Sequence, residues 1–288
     1  MTAHPTRPRA DDATDAVREQ MQATPRTVLV TGAARRIGRE IALGFARAGW
    51  DVVVHYGGSA DAARETVAAI RALGRRSVAV QADLSDEART AAMFDAALEQ
   101  LGPIAGLVNS ASRFEFDRPE TFGYRALAEH AGPNLAAPLL LTRKLHDSLA
   151  ADARGVVINL LDQKLENLNP DFFSYTLTKS ALLAATRMMA MAFAPRLRVA
   201  AVSPGITMAS GDQSPEGFER AHRMTPLGCS STPGDVVEAV LFLATASAVT
   251  GVNLPVDGGQ HLLPLARDVM YMTGDAAAAG AGTPGCES

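Results

Sequence analysis

Between residues 27 and 256 the chain alternates short, apolar, β-branched runs with amphipathic stretches of helical length, and this alternation restricts the fold more than any other feature. Runs at 27–31, 51–55, 77–81, 104–109, 155–161, 197–203 and 252–256 predict strands. The stretches 37–48, 60–73, 87–101, 126–150, 173–194 and 232–245 predict helices between them. Strands this apolar have no polar face to give to water, so both faces of their sheet must be covered. A helix between each pair of strands supplies that cover and lets the strands run parallel.

This pattern reads as a single α/β domain: a Rossmann-type, doubly wound parallel sheet of about seven strands, with helices on both faces, spanning 26–273. The segments 1–25, polar and Pro-containing, and 274–288, rich in Ala and Gly, are expected to be disordered tails. Met21 could be the true start, because every fold signal follows it. With 47% hydrophobic residues the domain can build a sizeable core. A net charge of −4 argues against a nucleic-acid partner. Cys229 and Cys286 show neither a pairing pattern nor metal-ligand spacing, which suits a reducing compartment and no metal. No run reaches membrane-spanning length and no secretory signal opens the chain, so a cytoplasmic protein is expected.

After the first strand comes Thr31-Gly-Ala-Ala-Arg-Arg-Ile-Gly38, leading directly into a helix. A glycine-containing turn at that position aims backbone N–H groups and the helix N-terminus at a pyrophosphate. Domains that bind NAD usually end the second strand with an acid that repels a 2′-phosphate. Here that strand ends His55-Tyr56-Gly57-Gly58-Ser59, and Asp51 sits at its other end. Arg35, Arg36 and the Ser59 hydroxyl could instead meet a phosphate dianion, which favours NADPH.

A second constellation lies at 162–179. Tyr175 and Lys179 are four apart, which puts both side chains on one helical face. An ammonium there favours phenolate over phenol and would let the tyrosine exchange protons near neutral pH. Asp162 lies thirteen residues before the tyrosine, at the end of an apolar run.

Together these residues carry a resemblance. TGAARRIG (31–38), ADL (82–84), NSAS (109–112), Asn134, Tyr175-x-x-x-Lys179, SPG (203–205) and PVDGG (255–259) fall in the order and rough spacing of the short-chain dehydrogenase/reductase family. The match covers about 26–265. Two departures resemble the pteridine reductases and dihydromonapterin reductases within that family: Asp162 stands where Ser or Thr is usual, and Arg36 where a third glycine is usual. His55-Tyr56 and Ser112-Arg-Phe114 fit the same subgroup.

The resemblance implies a catalytic set of Asp162, Tyr175, Lys179 and Asn134. Lys179 would hold the nicotinamide ribose and lower the pKa of Tyr175, and Asn134 would prop a water linking the lysine to solvent. The rival role of Asn134 is that of a helix-interior polar residue on a dimer face. Cofactor contacts are implied at Gly32, Arg35, Arg36, Ile37, Gly38, His55, Tyr56, Ser59, Asp83, Leu84, Asn109, Ser110, Ala111, Tyr175, Lys179, Pro204, Gly205 and Thr207. Asp83 has a rival role as a helix N-cap, and Thr207 as a plain loop residue. Arg36, Ser112, Phe114, Asp162 and Tyr175 would form the substrate site, with Phe114 stacking a flat ring against the nicotinamide.

The chemistry supports that reading. An ionised carboxylate only accepts hydrogen bonds, so Asp162 cannot polarise a ketone as a hydroxyl can. It can accept from the N–H groups of a pterin or, when protonated, feed a proton to a ring nitrogen. The expectation is an NADPH-dependent reductase of a pterin or dihydropteridine, such as dihydrobiopterin, dihydromonapterin or dihydrofolate. Two alternatives stay open: a reductase of a ketone such as a 3-oxoacyl thioester or a sugar, and a catalytically silent NADP-binding protein. The family implies a homotetramer paired through its long helices. Residues 208–232 read as a mobile flap over the substrate. Phe172 and Phe173 either wall the pocket or pack in the core.

Overall fold

The computed structural model describes residues 27–209 and 214–272, so the expected tails at 1–25 and 274–288 and part of the expected flap lie outside it. Seven strands form one sheet in the order β3-β2-β1-β4-β5-β6-β7, with every neighbouring pair parallel. They are β1 (Thr27–Val30), β2 (Asp51–Tyr56), β3 (Ser77–Gln81), β4 (Gly106–Asn109), β5 (Gly155–Leu160), β6 (Leu197–Pro204) and β7 (Asn253–Val256). The helices are α1 (Arg36–Arg47), α2 (Ala60–Ala72), α3 (Glu87–Leu101), α4 (Tyr124–Ala131), α5 (Ala137–Ser148), α6 (Phe173–Ala192), α7 (Pro215–Arg223) and α8 (Pro233–Thr245).

The helices divide between the two faces as the hydrophobic runs require. Ile41 and Phe45 of α1, Val67 and Ile70 of α2, and Val236 and Val240 of α8 pack on one face. Met93 and Phe94 of α3, Leu141 and Leu145 of α5, and Ala190 of α6 pack on the other. Every residue of the central strands β1, β4 and β5 is buried as a result. The strand order reverses between β1 and β4, and a crevice opens at the carboxyl ends of the strands there, where such sheets bind ligands.

Two expectations of regular structure change. The helix expected over 126–150 is α4, a π-helical turn at Gly132–Ala136, and then α5. Pro133 has no N–H for the helical ladder, and the wider turn absorbs that defect. It also turns Asn134 fully inward, with no exposed surface. The stretch expected as a mobile flap contains α7, N-capped by the Ser214 hydroxyl on the Gly217 N–H and seated by the buried Ala221. Among the described residues no helix is long and apolar enough to cross a membrane.

Candidate active site

The turn after β1 is built for close approach. Gly32 has φ +66°, and a Cβ there would lie 2.9 Å from the Ala111 Cα; one on Gly38 would lie 2.3 Å from the Gly32 carbonyl oxygen. Only glycine fits either position. The Thr31 hydroxyl oxygen accepts the N–H groups of Ser110 and Ala111, both at 3.0 Å, and ties the turn to the loop after β4. Arg36, where a third glycine would be usual, takes φ +53° and so adopts the left-handed conformation that glycine favours. That conformation costs about 1–2 kcal/mol in a residue with a side chain. Its guanidinium donates to the Ala209 carbonyl at 2.9 Å, across the crevice. Gly32, Arg35, Arg36, Ile37 and Gly38 all line one cavity of about 1100 Å³, large enough for a dinucleotide with a substrate beside it. Its bare backbone and its helix N-terminus fit a pyrophosphate.

The nucleotide end differs from expectation in detail. His55 is buried and structural: its Nδ1 accepts the Gly32 N–H at 3.1 Å, and its Nε2 lies 3.2 Å from the Ala82 carbonyl. Burial lowers its pKa to about 4, so it brings no charge to a phosphate. Tyr56 packs partly against the core, and Ser59 precedes α2; neither lines the cavity, which Gly57 and Gly58 border instead. Asp83 and Leu84 do line it. The Asp83 carboxylate accepts the Ser85 N–H at 2.9 Å, which depresses its pKa, while the N-cap of α3 is Asp86. The helix-cap rival for Asp83 is thereby removed. Arg89, in the first turn of α3, also lines this end and was missed from sequence. A cation six residues after Asp83, in the first turn of the next helix, was the available signal.

At the other end the acid–base group comes together. The Tyr175 hydroxyl donates to Asp162 Oδ2 at 2.9 Å, while Asp162 Oδ1 accepts the Lys164 N–H at 2.9 Å. Burial raises the Asp162 pKa, and the charge of Asp268 adds to that rise. Burial also raises the Tyr175 pKa well above 10, as does the Asp162 carboxylate. The Lys179 ammonium donates to the Leu160 carbonyl at 2.7 Å and lies 5.7 Å from the centre of the Tyr175 ring. Burial lowers its pKa to about 8 against the pull of Asp162. In this geometry the Lys179 ammonium bonds the Leu160 carbonyl and not the phenol, and burial and the carboxylate beside the hydroxyl oppose ionisation more than the ammonium favours it. Tyr175 is held as a phenol, the form that can donate a proton.

Asn134 stands behind this group and outside the cavity lining. Its Oδ1 accepts from the Arg113 N–H at 2.8 Å and the Ser112 hydroxyl at 3.2 Å. Its Nδ2 donates to the Arg113 carbonyl at 2.9 Å and to the Thr178 hydroxyl at 3.2 Å. An amide side chain has two donors and two acceptor positions, so all are used within the protein. The side chain clamps the loop after β4 to α6 and has no capacity left for the expected water. Asn109 is also turned away from the cavity: its Nδ2 donates to Asn159 Oδ1 at 2.8 Å inside the sheet.

Ser110, Ala111, Ser112, Phe114, Pro204, Gly205 and Thr207 line the cavity with the acid–base group. The Thr207 hydroxyl lies 2.9 Å from that of Ser231 and donates to the Gly205 carbonyl at 3.0 Å. Phe114 stacks on Phe172 with centroids 4.1 Å apart and meets the Tyr175 ring edge-on at 4.7 Å. Phe172 is thus a buried backing for Phe114, in a left-handed conformation at φ +55°. Phe173 packs against Phe122. The segment after β7 also reaches the cavity, through Gln260, Asp268, Val269 and Met270, and no sequence pattern had marked it.

A family model described as enoyl-(acyl carrier protein) reductase matches residues 32–261. The FolM alternative dihydrofolate reductase 1 from Brucella canis, solved with NADP, superposes with a TM-score of 0.78 at 37% identity, covering 82% of this chain and 94% of its own. 3beta-Hydroxysteroid dehydrogenase 1 of Eggerthella lenta is 33% identical over 255 residues, 83% of this chain and 95% of that protein. The 3-oxoacyl-[acyl-carrier-protein] reductase FabG of Staphylococcus aureus is 31% identical over 242 residues, 82% and 98% of the two chains. With this matched span and the Tyr175–Lys179 pair in a crevice at the strand reversal, the chain belongs to the short-chain dehydrogenase/reductase family.

Proposed function

We propose that the protein is an NADPH-dependent reductase of a pterin or dihydropteridine. The observation that carries the reading is the hydrogen bond from Tyr175 to Asp162 in the buried end of the crevice. Reducing a ring C=N bond takes a hydride at carbon and a proton at nitrogen. Bound NADPH supplies the hydride. The Tyr175 phenol supplies the proton, and Asp162, whose pKa burial raises, can share in delivering it. When the proton leaves, the buried Lys179 ammonium nearby offsets the new negative charge. Phe114, backed by Phe172, offers a flat surface to the heterocycle. Arg35 and Arg89 at the nucleotide end suit a 2′-phosphate, and no carboxylate ends β2 to oppose one. The match to a dihydrofolate reductase solved with NADP points the same way.

A second reading, reduction of a ketone, draws on the matches to a hydroxysteroid dehydrogenase and a 3-oxoacyl reductase. It leaves the Asp162 carboxylate without a task, since a simple ketone offers it no N–H group to accept from, whereas a pteridine does. The exposed Met188 and Met191 on α6, 69% and 83% accessible, fit an interface of a cytoplasmic homotetramer. The test follows NADPH oxidation by the purified protein with dihydrobiopterin, dihydromonapterin, dihydrofolate and an acetoacetyl thioester. Turnover of at least one pteridine is expected; turnover of the thioester alone would refute the reading.

A further inference from the structure

Lys164 is a buried cation that stands behind the crevice lining, in the short helical turn Gln163–Glu166 that follows Asp162. It is only 3% exposed, and an ammonium so far from water is costly unless partners replace the water. The partners are present. The ammonium donates to the Asp171 carbonyl, lies 3.4 Å from Asp268 Oδ2 and stands 5.4 Å from the centre of the Phe172 ring. The main-chain N–H of the same residue donates to Asp162 Oδ1 at 2.9 Å. Asp162 and Asp268 both line this end of the crevice. One residue therefore touches both carboxyl groups, Asp162 through its backbone and Asp268 through its side chain.

Asp268 is fixed as firmly. Its N–H donates to Asp171 Oδ2 at 2.8 Å, and its Oδ1 accepts the Met270 N–H at 3.1 Å. Asp171 is fully buried and ion-paired to Arg267 at 2.7 Å, with Arg118 4.0 Å away, so this charge is balanced behind the crevice. Other charges face the Asp162–Tyr175 pair from their own segments: Lys179 from α6, Arg113 from the loop after β4 and Arg36 from the phosphate turn, all of which line the cavity. Burial does most to raise the proton affinity of Asp162, and the Asp268 charge adds to it, while the Lys164 N–H and ammonium lower it. For Tyr175, burial and Asp162 raise it first, and Asp268 again adds. The two members of the Lys164–Asp268 ion pair thus act on Asp162 in opposite directions.

We propose that Lys164 is a positioning residue for the proton-donating pair: it holds Asp162 by its backbone and balances Asp268 by its ammonium, so that the carboxyl group beside Tyr175 can exchange its proton. What the balance serves rests on the pteridine reading above. Without the ammonium, the unopposed Asp268 charge would lock the proton on Asp162, and no carboxylate would remain to accept from a ring N–H. Without Asp268, the ammonium would hold Asp162 ionised, and the second proton would be lost.

The experiment follows the C=O band of protonated Asp162 against pH by difference infrared spectroscopy, in the full chain without substrate. Loss of the band in Asp162→Asn assigns it. Lys164→Met should move the midpoint to higher pH by about one pH unit, because Asp268 is left unopposed. Lys164→Gln keeps an N–H donor for the Asp171 carbonyl; it should shift the midpoint the same way and stands in if methionine perturbs folding. Asp268→Asn keeps the acceptor that caps the Met270 N–H and should move the midpoint to lower pH, whereas Lys164→Arg should leave it near the wild-type value. With Lys164→Gln and Asp268→Asn combined, both charges are gone and the midpoint should return toward wild type. Loosened packing alone would admit water to Asp162 and lower the midpoint in the Lys164 variants, the opposite direction. A midpoint unmoved or lowered by Lys164→Met and Lys164→Gln would overturn the proposal. Because the band is read without substrate, that result would leave the pteridine reading standing, and a protein that turns over no pteridine could still show the shifts.

Discussion

Tyr175 and Asp162 share one hydrogen bond, 2.9 Å from the phenol oxygen to Oδ2, and that bond sets the direction of proton flow. Both groups are buried, and burial alone raises the pKa of each. Each also opposes ionisation of the other, since two adjacent anions in a poorly solvated site repel. The pair therefore retains a proton at neutral pH, as a reductase needs. It behaves as one titrating unit, with the proton held mainly on the phenol.

Removing the phenol removes the donor. Tyr175→Phe is expected to lower kcat by about 10²–10⁴-fold, the usual worth of a positioned general acid. Binding of NADPH, measured by fluorescence, should change little, because the hydroxyl bonds Asp162 and no residue of the phosphate turn. A variant with near-normal turnover would exclude Tyr175 as the donor.

The buried Lys179 sets the alkaline limb. Its pKa is lowered to about 8 by burial, while the Asp162 charge pulls the other way. The ammonium is present below that pH and lost above it, so kcat/KM should decline as pH rises through about 8. Asp162→Asn takes away the carboxylate that supports the ammonium, so the limb in that variant should move to lower pH. A limb that stays in place or moves up would contradict the coupling.

Arg35 and Arg89 border the nucleotide end beside Gly57 and Gly58. Replacing either with alanine should cut kcat/KM for NADPH by about tenfold, a loss of ~1.4 kcal/mol, and leave that for NADH nearly unchanged. Steady-state kinetics with the two cofactors checks it. Equal losses with both would mean that these arginines act on the shared pyrophosphate or on folding.

Phe114 is 40% exposed, with one face against Phe172. Phe114→Ala should raise KM for a dihydropteridine by about three- to tenfold, in keeping with the ~0.5–1.5 kcal/mol of an aromatic pair. KM for the thioester should move less. The comparison is made by initial rates at saturating NADPH.

Much of the architecture was legible because it follows from local patterning. Continuous β-branched runs specify buried parallel strands, and the glycines of 31–38 have backbone demands that no other residue meets. What stayed hidden depended on where side chains turn. His55 looked like a cofactor ligand and is a bridge between Gly32 and Ala82, because its strand position points it under the turn. Asn134 looked like a water ligand, yet the π-helical turn at Pro133 swings it into contact with the Ser112 hydroxyl and the Arg113 backbone. Asp268 meets Lys164 across 104 positions of sequence, and no periodicity encodes such a meeting. Arg36 is a mixed case. Its departure from glycine was visible, but its left-handed backbone and its reach to Ala209 were not.

The central claim is that the Asp162–Tyr175 pair suits a ring nitrogen better than a carbonyl oxygen. The most direct measurement is the ratio of kcat/KM for dihydromonapterin to that for an acetoacetyl thioester, in wild type and in Asp162→Ser. The hydroxyl of serine can polarise a carbonyl but cannot share the proton as the carboxyl does. The wild type should favour the pteridine, and Asp162→Ser should lower the ratio by about 10²-fold or more, mainly by loss of kcat for the pteridine. A wild type that reduces only the thioester, or a ratio unmoved by Asp162→Ser, would contradict it.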